Sequence, residues 1–182
     1  MRLKKRSLHS SEEINVKDQI KINDRLTSGK QPSEEMLRKL QQQGYKTVIN
    51  LRTSGEEDMP MSPVEEGRIV HDLDMEYVHI PISSEEGPKA EQVDRFREEV
   101  EQRQAPIFTH CHRGKRSGAL SLIHVALQEN MTGEQAYDRA EELGYECDVP
   151  KLKEFFINYI DKRGRTLEEI RRKKAKGKGK KE

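Results

Sequence analysis

The chain has 182 residues, enough for one domain with little left for a second, and 37% of it is charged against 32% apolar. The charge is uneven: residues 171–182 carry eight Lys or Arg and one acid, net +7, which leaves the rest of a chain of net +1 at −6. No apolar run approaches the ~20 residues of a membrane span. The basic start, residues 1–6, has no apolar segment behind it, and two cysteines do not make a disulfide scaffold, so a cytoplasmic protein is expected.

Residues 1–17 are polar and are expected to form a flexible N-terminal segment. Residues 20–26 alternate briefly and turn at Asn23-Asp24. Ser33 reads as a helix N-cap with Glu34 and Glu35 in the first turn, an apolar face of Met36, Leu37 and Leu40, and a stop at Gly44. Residues 47–51 are β-branched and aliphatic, a strand, and a polar loop follows that carries Gly55, Pro60 and Pro63. A short helix over 64–73, a strand over 76–82 and a loop over 83–88 come next. Val93, Phe96 and Val100 give a helical stripe over 90–102.

The run 106–109 then reads as a buried strand and 119–127 as a buried helix. Two further helices are expected over 133–144 and 151–160, and a charged helical extension with a basic disordered tail over 164–182. The fold expected is α/β: a single domain over 18–163 with a central, mainly parallel sheet flanked by helices.

Between strand and helix lies His110-Cys111-His112-Arg113-Gly114-Lys115-Arg116-Ser117-Gly118. A cysteine at the carboxyl end of a strand, followed by a basic loop and a helix N-terminus, is placed to hold an anion against a thiolate. Backbone N–H groups of the loop form a nest, and His112, Arg113, Gly114, Lys115 and Ser117 are the residues expected to bind substrate. Arg116 has the planar fork that holds two oxygens of a phosphate at once.

The spacing leaves two chemistries open. Cysteine phosphatases ordinarily separate the cysteine and arginine by five residues, whereas four lie between Cys111 and Arg116. Cys111 to Ser117 also satisfies the Cys-x-x-Gly-x-Arg-Ser pattern of rhodanese-type sulfurtransferases. Those domains, however, typically carry an Asp-x-Arg strand end and a Gly-His-Ile-x-Gly-Ala segment, and neither occurs here.

Five segments match another family in order: Ser28-Gly29-Lys30-Gln31-Pro32, the run 44–52, Gly55-Glu56-Glu57, Tyr77-Val78-His79-Ile80-Pro81, and the cysteine loop. With them the chain resembles the bacterial beta-lactamase hydrolase-like phosphatases, a branch of the dual-specificity phosphatases whose own loop is shortened to Cys-x-x-Gly-x-Arg-Ser. A one-residue insertion at Lys30 is a departure, in a loop. The resemblance implies hydrolysis of phosphate monoesters on phosphotyrosine-like or small polyanionic substrates. Cys111 would be the nucleophile, with a phosphocysteine intermediate and neither cofactor nor metal. A sulfurtransferase and a non-catalytic phospho-group binder remain the alternatives.

The general acid is expected from a loop carboxylate. Related phosphatases keep an aspartate after the strand that corresponds to 76–82, but residues 83–88 offer only Glu85 and Glu86. Asp58 is the first choice, in a Pro-flanked loop at a strand end, with Glu56 and Glu57 beside it. Arg52 is expected either to reach the site or to pair with a loop carboxylate. His124 is expected to pack within its helix, and Cys147 to be an ordinary thiol. The partner expected is a phosphorylated protein or small molecule. Any contact of the tail with nucleic acid or an anionic surface is expected to be weak and unspecific.

Overall fold

The computed structural model describes residues 19–178, with side chains as far as Arg165. Five strands form the sheet: β1 (Gln19–Lys21), β2 (Leu26–Gly29), β3 (Thr47–Asn50), β4 (Glu76–His79) and β5 (Ile107–His110). Their order is β1-β2-β5-β3-β4, with β1 antiparallel to β2 and every other pairing parallel. The β5 strand therefore lies mid-sheet, and its carboxyl end delivers Cys111 to the edge where ligands of such sheets bind.

The helices are α1 (Glu34–Gln42), α2 (Pro63–Asp72), α3 (Ala90–Gln102), α4 (Lys115–Gln128), α5 (Gly133–Glu142) and α6 (Pro150–Lys178). Alternate residues of the inner strands point to opposite faces, as the pleat requires. Val48 and Phe108 join Leu37, Leu40 and Val70 on the α1–α2 side. Ile49 and Ile107 join Phe96, Leu120, Ala140 and Phe156 on the side of α3 to α6. Both faces are covered, which is why strands such as β3 and β5 are buried at every position.

Local signals explain most helix starts. The Ser33 hydroxyl accepts the Met36 N–H, and Ser62 and Thr132 form capping boxes with Glu65 and Gln135. The predicted helix over 119–127 begins four residues earlier, at Lys115, because Gly114 adopts φ 83 as its N-cap and turns the chain there. Arg116 and Ser117 therefore stand in the first helical turn. The β2 strand, Leu-Thr-Ser-Gly, was not expected: it has one aliphatic residue, and its burial comes from neighbours on both sides.

The α6 helix continues past residue 163 without a break, so its backbone is helical into the basic segment where the sequence reading places a disordered tail. The expected flexible segment 1–17 lies outside the described residues. No described helix is long and apolar enough to cross a membrane.

Candidate active site

The loop from Cys111 to Gly114 is anchored through its carbonyls. The Leu51 N–H donates to the His110 carbonyl at 2.9 Å and the Gln31 N–H to that of His112 at 3.3 Å. Among the described residues the N–H groups of His112, Arg113 and Gly114 have no acceptor, and the first-turn N–H groups of α4 have none within the helix. Donors without acceptors thus gather at the positive end of a helix. Cys111 is buried beneath them.

Ser117 is fixed from several directions. Its hydroxyl receives the Ser28 Oγ at 2.8 Å, lies within 3.2 Å of the Gly29 carbonyl, and stands 3.8 Å from the Cys111 sulfur. A hydroxyl there can donate to a sulfur anion. Its partner Ser28 comes from β2, so the unexpected strand supports the loop from beneath.

Arg116 is nearly buried and is held by Glu56. Nη1 meets Oε1 at 2.7 Å and Nη2 meets Oε2 at 2.7 Å, while Nη1 also donates to the Ile82 carbonyl. Burial opposes charge on the guanidinium, but the Glu56 hydrogen bonds and the adjacent Cys111 sulfur outweigh it, and the pKa of Arg116 is raised. No oxygen of the described residues accepts from the Nε–H, and the edge it forms with the second Nη2–H can take two oxygens of one anion.

Glu56 itself is clasped. Thr53 donates to Oε1 through its N–H at 2.8 Å and its hydroxyl at 3.0 Å, and Arg52 Nε reaches Oε2 at 3.2 Å. Burial alone would raise the Glu56 pKa, yet hydrogen bonds from Arg116 and Thr53 hold it at about 2. A carboxylate so placed has no proton to give near neutral pH. Glu56 therefore leaves the set of candidate acids and becomes the residue that orients Arg116. Of the two expectations for Arg52, the ion pair is found. Arg52 is fully buried and also donates to the Gln31 side chain and to the carbonyls of Glu57 and Asp58.

A second buried group lies behind the cysteine. Glu66 of α2 accepts from Asn50 Nδ2 at 2.6 Å and from the Tyr77 hydroxyl at 3.4 Å. Its other oxygen lies 2.8 Å from His110 Nε2 without hydrogen-bond alignment, and both residues are fully buried. The His110 ring stacks on Phe108, with centroids 6.1 Å apart. A buried carboxylate beside a buried imidazole, one residue from Cys111, fixes the strand end from the α2 side. The sequence offered little signal for Glu66, which reads there as one acid in an acidic helix start.

The remaining expected site residues surround the mouth. Asp58 is exposed at φ 52, with its carboxylate 3.8 Å from His112 Nε2. The Glu57 side chain is exposed. Glu85 and Glu86 line a pocket with His112, Arg113, Lys115 and Arg116, and Glu86 pairs with Lys89 at 3.1 Å. Lys115 is taken up by Asp148, and its carbonyl accepts the Tyr145 hydroxyl at 2.7 Å. Cys147 is a free thiol directed at the Val149 carbonyl. Among the described residues no cluster of three His, Cys, Asp or Glu offers a metal site.

A family model described as DSP-PTPase phosphatase fused to NAD+ kinase matches residues 5–151. The chain belongs to this family. The expected resemblance is upheld as well by the Beta-lactamase hydrolase-like protein of Agrobacterium fabrum, 28% identical over 151 residues that cover 75% of this chain and 34% of the relative. The chain thus spans about a third of that relative's length. A putative phosphatase of Shewanella putrefaciens CN-32 superposes with a TM-score of 0.64 at 23% identity, covering 78% of this chain and 89% of that one. The catalytic core of the PP-IP phosphatase SIW14 from S. cerevisiae gives 0.60 at 20%, covering 81% and 88%. At these identities the two structures share the fold: this is the α/β architecture of the DSP-PTPase family, as expected.

Proposed function

We propose that the chain is a cysteine-dependent phosphatase that hydrolyses phosphate monoesters through a phosphocysteine. One observation carries the reading: the Arg116 guanidinium, held by the Glu56 fork, interacts with the Cys111 sulfur at the N-terminus of α4.

The thiolate of Cys111 attacks phosphorus, forming the S–P bond as the ester P–O bond breaks. Asp58 gives its proton to the departing oxygen, and in the second step takes one from the water that breaks the S–P bond. Arg116 and the loop N–H groups meet the charge spread over the equatorial oxygens. The Ser117 hydroxyl at 3.8 Å assists the sulfur as it leaves. Glu85, on the pocket wall, is the other carboxylate near the leaving group's exit.

Substrates of the phosphotyrosine-like or small polyanionic class fit the basic rim of His112 and Arg113. Family kinship to proteins fused to NAD+ kinase favours phosphorylated nucleotides within that class. The test is mass spectrometry of the Cys111 peptide after rapid quenching, with p-nitrophenyl phosphate and with thiosulfate separately. One added phosphoryl group with the ester is the expected result. A persulfide with thiosulfate and no phosphoryl adduct would assign a sulfurtransferase instead.

A further inference from the structure

Beside the Arg116 cradle lies a pocket of about 410 Å³ between the 83–88 loop and the start of α6. Its wall on that side is apolar, made by Val149 just before α6 and by Leu152 and Phe155 within it, and Pro88 also lines the pocket. Val149 is 39% exposed, one of two large exposed apolar side chains among the described residues. Phe155 is held rigid by a stacked Tyr159, with ring centroids 5.6 Å apart and planes 25° off parallel. A flat ring entering here meets a preformed platform.

The same pocket carries more cations than direct ion pairs occupy. Asp148 pairs with Lys115 and also attracts Arg113 at longer range, whereas Lys151, exposed and lining the pocket, has no ion pair among the described residues, and Arg113, also exposed, has no direct one. Glu85 and Glu86 face them from the opposite wall, and Glu86 is held by Lys89. An anion entering the pocket is therefore drawn to the side of α6 and the loop, away from the two glutamates. Inositol polyphosphates would leave the apolar wall unused, and a simple aryl phosphate would leave the two cations unused.

Building on the phosphatase reading, the geometry points to a leaving-group subsite for a nucleotide. The phosphomonoester sits on Arg116, the base lies against Val149, Leu152 and Phe155, and a second phosphate is read by Arg113 and Lys151. Walls on both sides suit a small molecule better than an extended peptide.

The probes are adenosine 2′,5′-bisphosphate, adenosine 2′-monophosphate and a phosphotyrosyl peptide, titrated calorimetrically into the full chain carrying Cys111→Ser. The bisphosphate is expected to bind about tenfold more tightly than the monophosphate, the gain of one charge-assisted contact. That ratio is expected to fall close to one on adding Lys151→Glu. Equal affinities for the two nucleotides would overturn the proposal, as would a ratio unmoved by Lys151→Glu or tighter binding of the peptide. Turnover of p-nitrophenyl phosphate by the unsubstituted chain reports on the reaction alone, so failure of the subsite and failure of the chemistry read out separately.

Discussion

Glu56 and Arg116 meet as two parallel forks, each oxygen of the carboxylate 2.7 Å from its own guanidinium nitrogen. Sixty residues separate them along the chain. The pairing occupies one edge of the guanidinium, which also interacts with the Cys111 sulfur. Arg116→Lys keeps the charge but loses the fork. The expected cost in kcat toward p-nitrophenyl phosphate is about 10²-fold or more, with the far-ultraviolet circular dichroism unchanged. A lysine variant with native kcat would show that the fork is not used.

Glu56→Gln leaves Arg116 and Arg52 without a counter-charge, and a loss of about 3 kcal/mol is expected near neutral pH. The loss should depend on pH in a defined direction. The Glu56 pKa is about 2 in the folded chain against an ordinary 4.5, so its contribution is complete above about pH 5 and fades as the pH falls from 4.5 toward 2. Urea unfolding of the two proteins at pH 7, 4 and 3 is expected to show a gap that narrows with acidity. A gap constant across that range would mean that the charge of Glu56 does not stabilise the fold.

His124, buried within α4, should act on stability nearer neutrality. Burial, with Arg97 and Arg25 nearby, lowers its pKa from 6.5 to about 4. The unfolded chain takes up a proton that the folded chain refuses, so stability falls as pH drops from about 6.5 to 4. In His124→Leu that part of the slope is expected to vanish, as measured by thermal unfolding at pH 7.5, 6 and 5. An unchanged slope would place the protonation elsewhere.

The acid is best read with leaving groups of different quality. Asp58→Asn is expected to cost about 10²-fold on phenyl phosphate and far less on 2,4-dinitrophenyl phosphate, which needs no proton to depart. The same comparison applied to Glu85→Gln is expected to show no such contrast. If the contrast follows Glu85 rather than Asp58, the proton comes from the pocket wall.

Gly118 of α4 packs under Tyr145. A Cβ there would stand 2.5 Å from the ring, and the Tyr145 hydroxyl is tied to the Lys115 carbonyl at 2.7 Å. Gly118→Ala is expected to destabilise by about 1–3 kcal/mol through overpacking and to raise KM by shifting the first turn of α4. Native stability in chemical unfolding would show that Tyr145 yields without cost.

Much of this architecture is legible in the sequence because its signals are local. Ser33, the stripe Val93, Phe96 and Val100, and the aliphatic run at Thr47 each specify their element without help from distant residues. The β2 strand was missed for the opposite reason. Thr27, Ser28 and Gly29 have no strand pattern of their own and are buried by β1, β5 and Ser117. The site divides in the same way. Cys111, Arg116 and the loop between them are contiguous and readable. The roles of Glu56 and Glu66 depend on contacts with Arg116 and His110: the family match at Gly55-Glu56-Glu57 does not single Glu56 out from Glu57, and nothing near Glu66 in the chain distinguishes it from its acidic neighbours.

The central claim is that Cys111 is the nucleophile of phosphate ester hydrolysis. It is tested most directly by phosphate release from p-nitrophenyl phosphate by the purified wild-type chain and by Cys111→Ser, with matched folding confirmed by circular dichroism. Turnover by the wild type and its loss to background in the serine variant is the expected result. Equal phosphate release by the two proteins would contradict the claim.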